Sequence, residues 1–172
     1  MIRLVAGGSK SGKSAYGERL LESFKGQKVY IATMEPYGED AERAIERHRA
    51  MRAGKGFVTL ERYRDIGGAQ IPEGAGVLIE CMGNLLANEM FTEDGICCPT
   101  EKILSGIEEL SRRAGELIIV TNLLDGDGRT YGEGTELYIR YMGEMNRRLG
   151  AMAQSVTECV FGIPIAVKGE LL

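Results

Sequence analysis

Apolar residues along this chain gather in short runs, several of them β-branched, and between those runs they fall back to helical spacing. IRLVA (2–6), KVYIAT (28–33), FVTLE (57–61), GVLIEC (76–81), LIIVT (117–121) and TECVFG (157–162) read as strands. Helical periodicity fills 13–24, 40–53, 83–91, 100–114 and 134–154. Strands that are apolar on both faces and alternate with helices predict a mostly parallel sheet covered on two sides, an α/β three-layer sandwich. FGIPIAVKG (161–169) reads as an edge hairpin, two strand pieces split by a Gly-x-Pro turn. The glycines of LLDGDGRTYGEG (123–134) mark a surface loop that could serve as a lid.

At 172 residues and 44% hydrophobic content the chain can bury one core, so 1–172 is expected to be a single domain. A formal net charge of -4 argues against a general nucleic-acid binder. No stretch nears the roughly 18 to 20 continuous apolar residues needed to span a bilayer. The opening residues do not read as an export leader, so a cytoplasmic protein with no membrane span is expected. Cys81, Cys97, Cys98 and Cys159 lack paired metal-binding spacing and read as reduced thiols.

GGSKSGKS, Gly7 to Ser14, follows the first strand and opens a helix, matching G-x-x-x-x-G-K-S. Its glycines let the backbone N–H groups of Gly7, Gly8, Ser9, Lys10, Ser11 and Gly12 converge on phosphate oxygens, and the helix dipole favours the same anion. Lys13 is placed to reach the terminal phosphates and Ser14 to bind Mg2+. Such sites take a second metal ligand from a carboxylate ending a neighbouring parallel strand, and Glu80 at the end of GVLIEC is the candidate. With this loop the expected fold is a P-loop NTPase of the RecA-like kind, one that binds a nucleotide for phosphoryl chemistry.

The only histidine, His48, lies within IERHRAMR (45–52). Ala41, Ala44, Ile45 and His48 share one helical stripe, which turns the ring toward the protein body. One reading is a partly buried structural histidine on a helix with solvated arginines. The other starts from Arg47, Arg49 and Arg52, whose charge lowers the imidazole pKa and favours the neutral, nucleophilic ring.

The motifs GGSKSGKS, YIAT, RAIERHRAMR, TLE, LIEC, VTN and GIP, in this order over nearly the whole chain, resemble the bifunctional adenosylcobinamide kinase / adenosylcobinamide-phosphate guanylyltransferase family of cobalamin biosynthesis. The resemblance implies that His48 attacks the α-phosphate of GTP and carries GMP as a phosphoramidate, with Arg49 and Arg52 stabilising the developing charge. It implies nucleotide contacts at Ala32, Thr33, Met34, Arg49, Ala50, Met51, Arg52, Glu61 and Glu80. It implies adenosylcobinamide and its phosphate as acceptors, and a homo-oligomer, as in the family's trimers.

The chain departs from the family pattern in places. AGKGF (53–57) holds a one-residue insertion, Phe57 stands where tryptophan is common, and Leu123 with LDGDGRTYGEGTE replaces a glutamate and a G-I-V-P-like loop. Asp125 and Asp127 have part of a calcium-loop spacing, but Arg129 at the third ligand position excludes that ion. Tyr131, Tyr138 and Tyr141 fit either the wall of a planar ligand's site or plain packing. Two other functions stay open: a simple P-loop kinase of a small metabolite with His48 structural, and a nucleotide-sensing module with little turnover.

Overall fold

The computed structural model describes residues 1–124 and 130–171, the side chains of residues 40 and 51 apart. The calcium-like aspartates at 125 and 127 therefore lie outside the described residues. In chain order the elements are β1 (Ile2–Gly7), α1 (Lys13–Leu20), β2 (Lys28–Ala32), α2 (Glu39–Arg52), β3 (Phe57–Glu61), a 3-10 turn (Ile66–Gly68), β4 (Gly76–Glu80), α3 (Met82–Met90), β5 (Phe91–Thr92), β6 (Gly95–Ile96), α4 (Thr100–Arg113), β7 (Glu116–Asn122), α5 (Glu133–Met152), β8 (Ser155–Val160) and β9 (Ile163–Lys168). The seven-stranded sheet runs β3-β2-β4-β7-β1-β8-β9, with every neighbouring pair parallel except β8 with β9. This is the α/β sandwich that the pattern of runs predicts. The two-residue strands β5 and β6 form a separate hairpin that no sequence run foreshadows.

Alternation along each strand divides the core in two. Leu4, Val29, Ile31, Val77, Ile79, Leu117 and Ile119 pack against α3, α4 and α5. Val5, Tyr30, Leu78, Ile118 and Val120 face the other way, toward Tyr16 of α1 and Leu21 just beyond it. Since β1 leads into α1 on one face and β7 into α5 on the other, the chain parts at the carboxyl ends of these adjacent strands. Such a parting opens a crevice where α/β proteins bind ligands.

Two expectations need correction. The final hairpin does not turn at Gly-x-Pro; it turns at Phe161 and Gly162, whose φ values of 51° and 82° suit a two-residue loop. Pro164 sits within β9 opposite Cys159, on an outer strand that tolerates the missing N–H. Glu80 does end a parallel strand, but not a neighbour of β1, because β7 lies between β1 and β4.

The turn before β4 leans on α4, where two glycines let the backbones approach. A Cβ on Gly106 would stand 2.7 Å from the Gly67 nitrogen and 2.8 Å from Ile66 Cγ2. Gly106→Ala is expected to destabilise the fold by about 1–3 kcal/mol through this clash, despite alanine's better helix propensity. A denaturant midpoint equal to or above that of wild type would contradict it.

Candidate functional site

The loop from Gly7 to Gly12 needs its glycines for local reasons. A Cβ on Gly7 would lie 2.4 Å from Ser11 Oγ and 2.8 Å from the Cys159 carbonyl. Gly12, at φ 93°, takes the left-handed turn that starts α1. The first turn of α1 has no acidic residue of its own, and its positive end faces the cavity. Lys13 is buried and its Nζ donates to the Gly8 carbonyl at 3.0 Å.

Above this loop opens a cavity of about 550 Å³. Ser9, Lys10, Ser11, Gly12, Lys13 and Ser14 form one side; Ala32, Met34, Ile45, Arg47, His48 and Arg52 form another; Glu80, Cys81, Asn84 and Asn122 close the carboxyl ends of β4 and β7. Among the described residues its wall carries four cations, Lys10, Lys13, Arg47 and Arg52, against one carboxylate, Glu80. A chain of net charge -4 thus concentrates positive charge at one place, as a polyphosphate ligand requires.

Glu80 is buried, and Ser14 Oγ donates to its Oε1 at 2.6 Å. Its Oε2 is buried with no partner among the described residues, as is Ser11 Oγ. Burial pushes the Glu80 carboxyl up to about 7, against the pull of the Ser14 hydrogen bond and the Lys13 charge. A buried carboxylate oxygen without a partner, beside a hydroxyl, is the donor set a hard cation takes. The residues present therefore fit magnesium.

α2 roofs the cavity. Ala41, Ala44, Ile45 and His48 are half-buried, and Arg52 is buried. The predicted stripe does face inward, and at Ile45 and His48 it meets the cavity instead of the packed core. The Arg52 guanidinium lies over the Tyr30 ring, 4.1 Å from its centroid, and Nε donates to Thr59 Oγ1 at 3.1 Å. Lys55, just beyond α2, pairs with the buried Glu18 of α1 at 2.5 Å. The histidine helix is thereby tied to the phosphate-loop helix. His48 Nδ1 lies 3.3 Å from the Tyr30 hydroxyl. Burial first, then Arg47 and Arg52, hold the His48 pKa below its ordinary 6.5.

Several residues drawn from the resemblance stand elsewhere. Arg49 is exposed and donates to Glu61 Oε1 at 2.7 Å, while Tyr63 donates to Glu61 Oε2 at 3.0 Å, and neither Arg49 nor Glu61 lines the cavity. Ala50 is exposed, and the Met51 side chain lies outside the described residues. Thr33 is buried behind the wall, where Oγ1 donates to the carbonyls of Glu80 and Cys81 at 2.9 and 2.8 Å. Gly7 and Gly8 shape the loop without lining the cavity. Sequence reasoning named Arg47 only as a charge beside His48, and missed Tyr30, Asn84 and Asn122. Asn122 could have been found, since it ends a parallel strand at the edge where ligands gather. Of the three tyrosines, Tyr138 and Tyr141 pack against the core, and Tyr138 donates to the Gly83 carbonyl at 3.1 Å.

No helix among the described residues is long and apolar enough to cross a membrane. Residues 3–167 match the family described as cobinamide kinase / cobinamide phosphate guanyltransferase. The chain is 30% identical over 184 residues to the bifunctional adenosylcobalamin biosynthesis protein CobU of Escherichia coli, covering 98% of this chain and all of that protein. To CobP of Pseudomonas aeruginosa, described in the same words, it is 29% identical over 175 residues and both full lengths. CobU of Salmonella typhimurium is 27% identical over 98% of this chain and all of its own length. With its phosphate loop, its roofed cationic cavity and a match that runs almost end to end, the chain belongs to the cobinamide kinase / cobinamide phosphate guanyltransferase family.

Proposed function

We propose that this chain carries out both of its family's reactions in the one cavity. A γ-phosphoryl group passes from ATP or GTP to the hydroxyl of adenosylcobinamide, and GMP passes from GTP to the resulting phosphate. The observation that carries the reading is that the only histidine shares its cavity with the phosphate loop. A simple kinase would have no use for a neutral imidazole there, and a sensor would have no use for a nucleophile. Family membership favours two reactions over either.

In the first reaction the loop amides, the α1 dipole and Lys13 position the phosphates and neutralise their charge, which is most of what phosphoryl transfer asks of a protein. Ser14 and Glu80 would hold Mg2+, which when bound offsets charge on the phosphate oxygens.

In the second, a His48 nitrogen forms a bond to the α-phosphorus of GTP. The bond to the bridging oxygen breaks, and pyrophosphate leaves with the electron pair. The cobinamide phosphate then displaces the imidazole, giving adenosylcobinamide-GDP and restoring the ring. Arg47 and Arg52, both on the cavity wall, are the counter-charges for the attacked phosphate. Arg49, engaged by Glu61 outside the cavity, is not assigned this task.

GTP labelled in its α-phosphate should give an acid-labile protein adduct, and γ-labelled GTP should not. A protein that transfers γ-label to cobinamide but never retains α-label would leave only the kinase half. The His48 pKa of the nucleotide-free protein lies below the ordinary 6.5, so the neutral ring is the major form at pH 6.5 and is lost as pH falls through that lowered value. In 15N-histidine-labelled protein without nucleotide, the NMR titration of the ring should therefore have its midpoint below pH 6.5. A midpoint at or above 6.5 would contradict the geometry.

We also propose one domain, working in the cytoplasm, where reducing conditions suit four free cysteines. Self-association, the trimer included, fits β9, an edge strand on which Ile163, Ile165 and Val167 form an exposed apolar row. A purely monomeric sedimentation profile at micromolar concentration would remove that part.

A further inference from the structure

Neutral imidazole has two unlike nitrogens, one bearing the proton and one the lone pair, and only the second can attack phosphorus. His48 uses Nδ1 against the Tyr30 hydroxyl at 3.3 Å, while Nε2 has no hydrogen-bond partner among the described residues. Tyr30 is built to hold its place. It lies in β2, second from one edge of the sheet, and is 2% exposed. The Arg52 guanidinium covers one face of its ring, and the Phe57 ring meets it at 6.3 Å and 81°. A hydroxyl on a ring clamped in this way is a fixed point, whereas His48 itself projects from a helix whose flanking residues Arg47 and Arg49 are exposed.

We propose that Tyr30 is the positioning residue of the guanylyl transfer: its hydroxyl oxygen accepts the Nδ1–H of His48, keeps the proton there, and leaves Nε2 as the nitrogen that bonds phosphorus. This deepens the proposed function and rests on its nucleophilic histidine. During attack the Nε2 lone pair forms the N–P bond, the Pα–O bond breaks, and pyrophosphate departs with that electron pair. The ring proton stays on Nδ1 against the Tyr30 oxygen, so the intermediate is an Nε2-guanylyl imidazolium and no external proton acceptor is needed. For metal-bound histidines, removing the group that orients the ring through its second nitrogen changes affinity or activity by about 10- to 100-fold, and an effect on that scale is expected here. Burial and the nearby Glu80 charge push the Tyr30 phenol up, so it remains a neutral hydroxyl throughout the working range.

The test uses the fact that there is one histidine to observe. Tyr30→Phe keeps the clamped ring and removes only the hydroxyl. In 15N-histidine-labelled wild type without nucleotide, above pH 7, NMR should show the proton mainly on Nδ1, and in Tyr30→Phe the population should move toward Nε2–H. With GTP, phosphorus–nitrogen correlation should place the adduct on Nε2 of the wild type. Tyr30→Phe should form it about 10- to 100-fold more slowly at saturating GTP, with the nucleotide Kd titrated separately so that weaker binding is not read as slower attack. An adduct on Nδ1, an unchanged tautomer balance, or a wild-type rate in Tyr30→Phe would each overturn the assignment. A wild type that never bonds phosphorus would sink the nucleophilic histidine itself, while the tautomer measurement, made without nucleotide, still judges the hold of Tyr30 on the ring.

Discussion

His48→Asn should abolish retention of α-label and lower GMP transfer to cobinamide phosphate by about four orders of magnitude or more, the scale on which an enzyme loses rate when its nucleophile is deleted. Asparagine keeps a polar group of similar reach but has no lone pair basic enough to attack phosphorus. The cations that gather the phosphates, Lys13, Arg47 and Arg52, are untouched, as are Ser14 and Glu80. Phosphoryl transfer from γ-labelled nucleotide should therefore fall by far less than guanylyl transfer. That split distinguishes a lost nucleophile from a damaged cavity, which would depress both reactions together. Equal α-labelling of wild type and His48→Asn would mean that the adduct forms on another residue, and the assignment of His48 would fail.

How much of this was legible in the sequence depended on what kind of force placed each residue. The phosphate loop could be read because its glycines are demanded locally: Gly7 has no room for a Cβ and Gly12 takes a left-handed φ, and both constraints show in the spacing itself. Strands β1, β2, β4 and β7 could be read because burial on both faces leaves a continuous apolar run. Sheet order could not, since these four runs look alike and only packing decides that β7 enters between β1 and β4.

Tyr30 was hidden for the same reason. Within KVYIA its phenol looks like one more apolar body, and its role depends on β2 turning that residue toward α2. The choice between Arg47 and Arg49 lay beyond periodicity, because both flank His48 and the direction of the cavity across the helix axis selects one. The final turn misled because a proline was read as a turn signal where an edge strand simply tolerated it. The conflict at Glu80 was visible in part. A carboxylate ending an apolar run announces a cost, although only the structure shows that its second oxygen lacks a partner among the described residues.

That cost yields the prediction with the largest opposed effects. Glu80 has a folded-state pKa of about 7, raised from 4.5, so the folded protein disfavours its ionised form. Stability is then lost as pH rises from 4.5 toward 7, and the whole penalty, about 3 kcal/mol for a shift of this size, applies above pH 7. Glu80→Gln removes the titration. It introduces a buried amide donor whose own cost, about 1–3 kcal/mol if unpaired, does not vary with pH. The informative quantity is therefore the slope. Without nucleotide, the stability of Glu80→Gln relative to wild type should rise between pH 5 and pH 8 by about 2.5 kcal/mol, measured by chemical denaturation across the series. With magnesium and nucleotide bound, the wild-type carboxylate gains its counter-charge and the difference should shrink. Phosphoryl transfer in the same variant should fall by about 100- to 1,000-fold, the range for removing one preorganised electrostatic contact at a reacting centre. A pH-independent stability difference would show that the fold does not disfavour the ionised Glu80, and an active Glu80→Gln would show that the phosphates are held without it. A variant whose stability relative to wild type climbs with pH while its phosphoryl transfer nearly vanishes fits one cause, a carboxylate kept at the expense of the fold because the nucleotide site needs its charge.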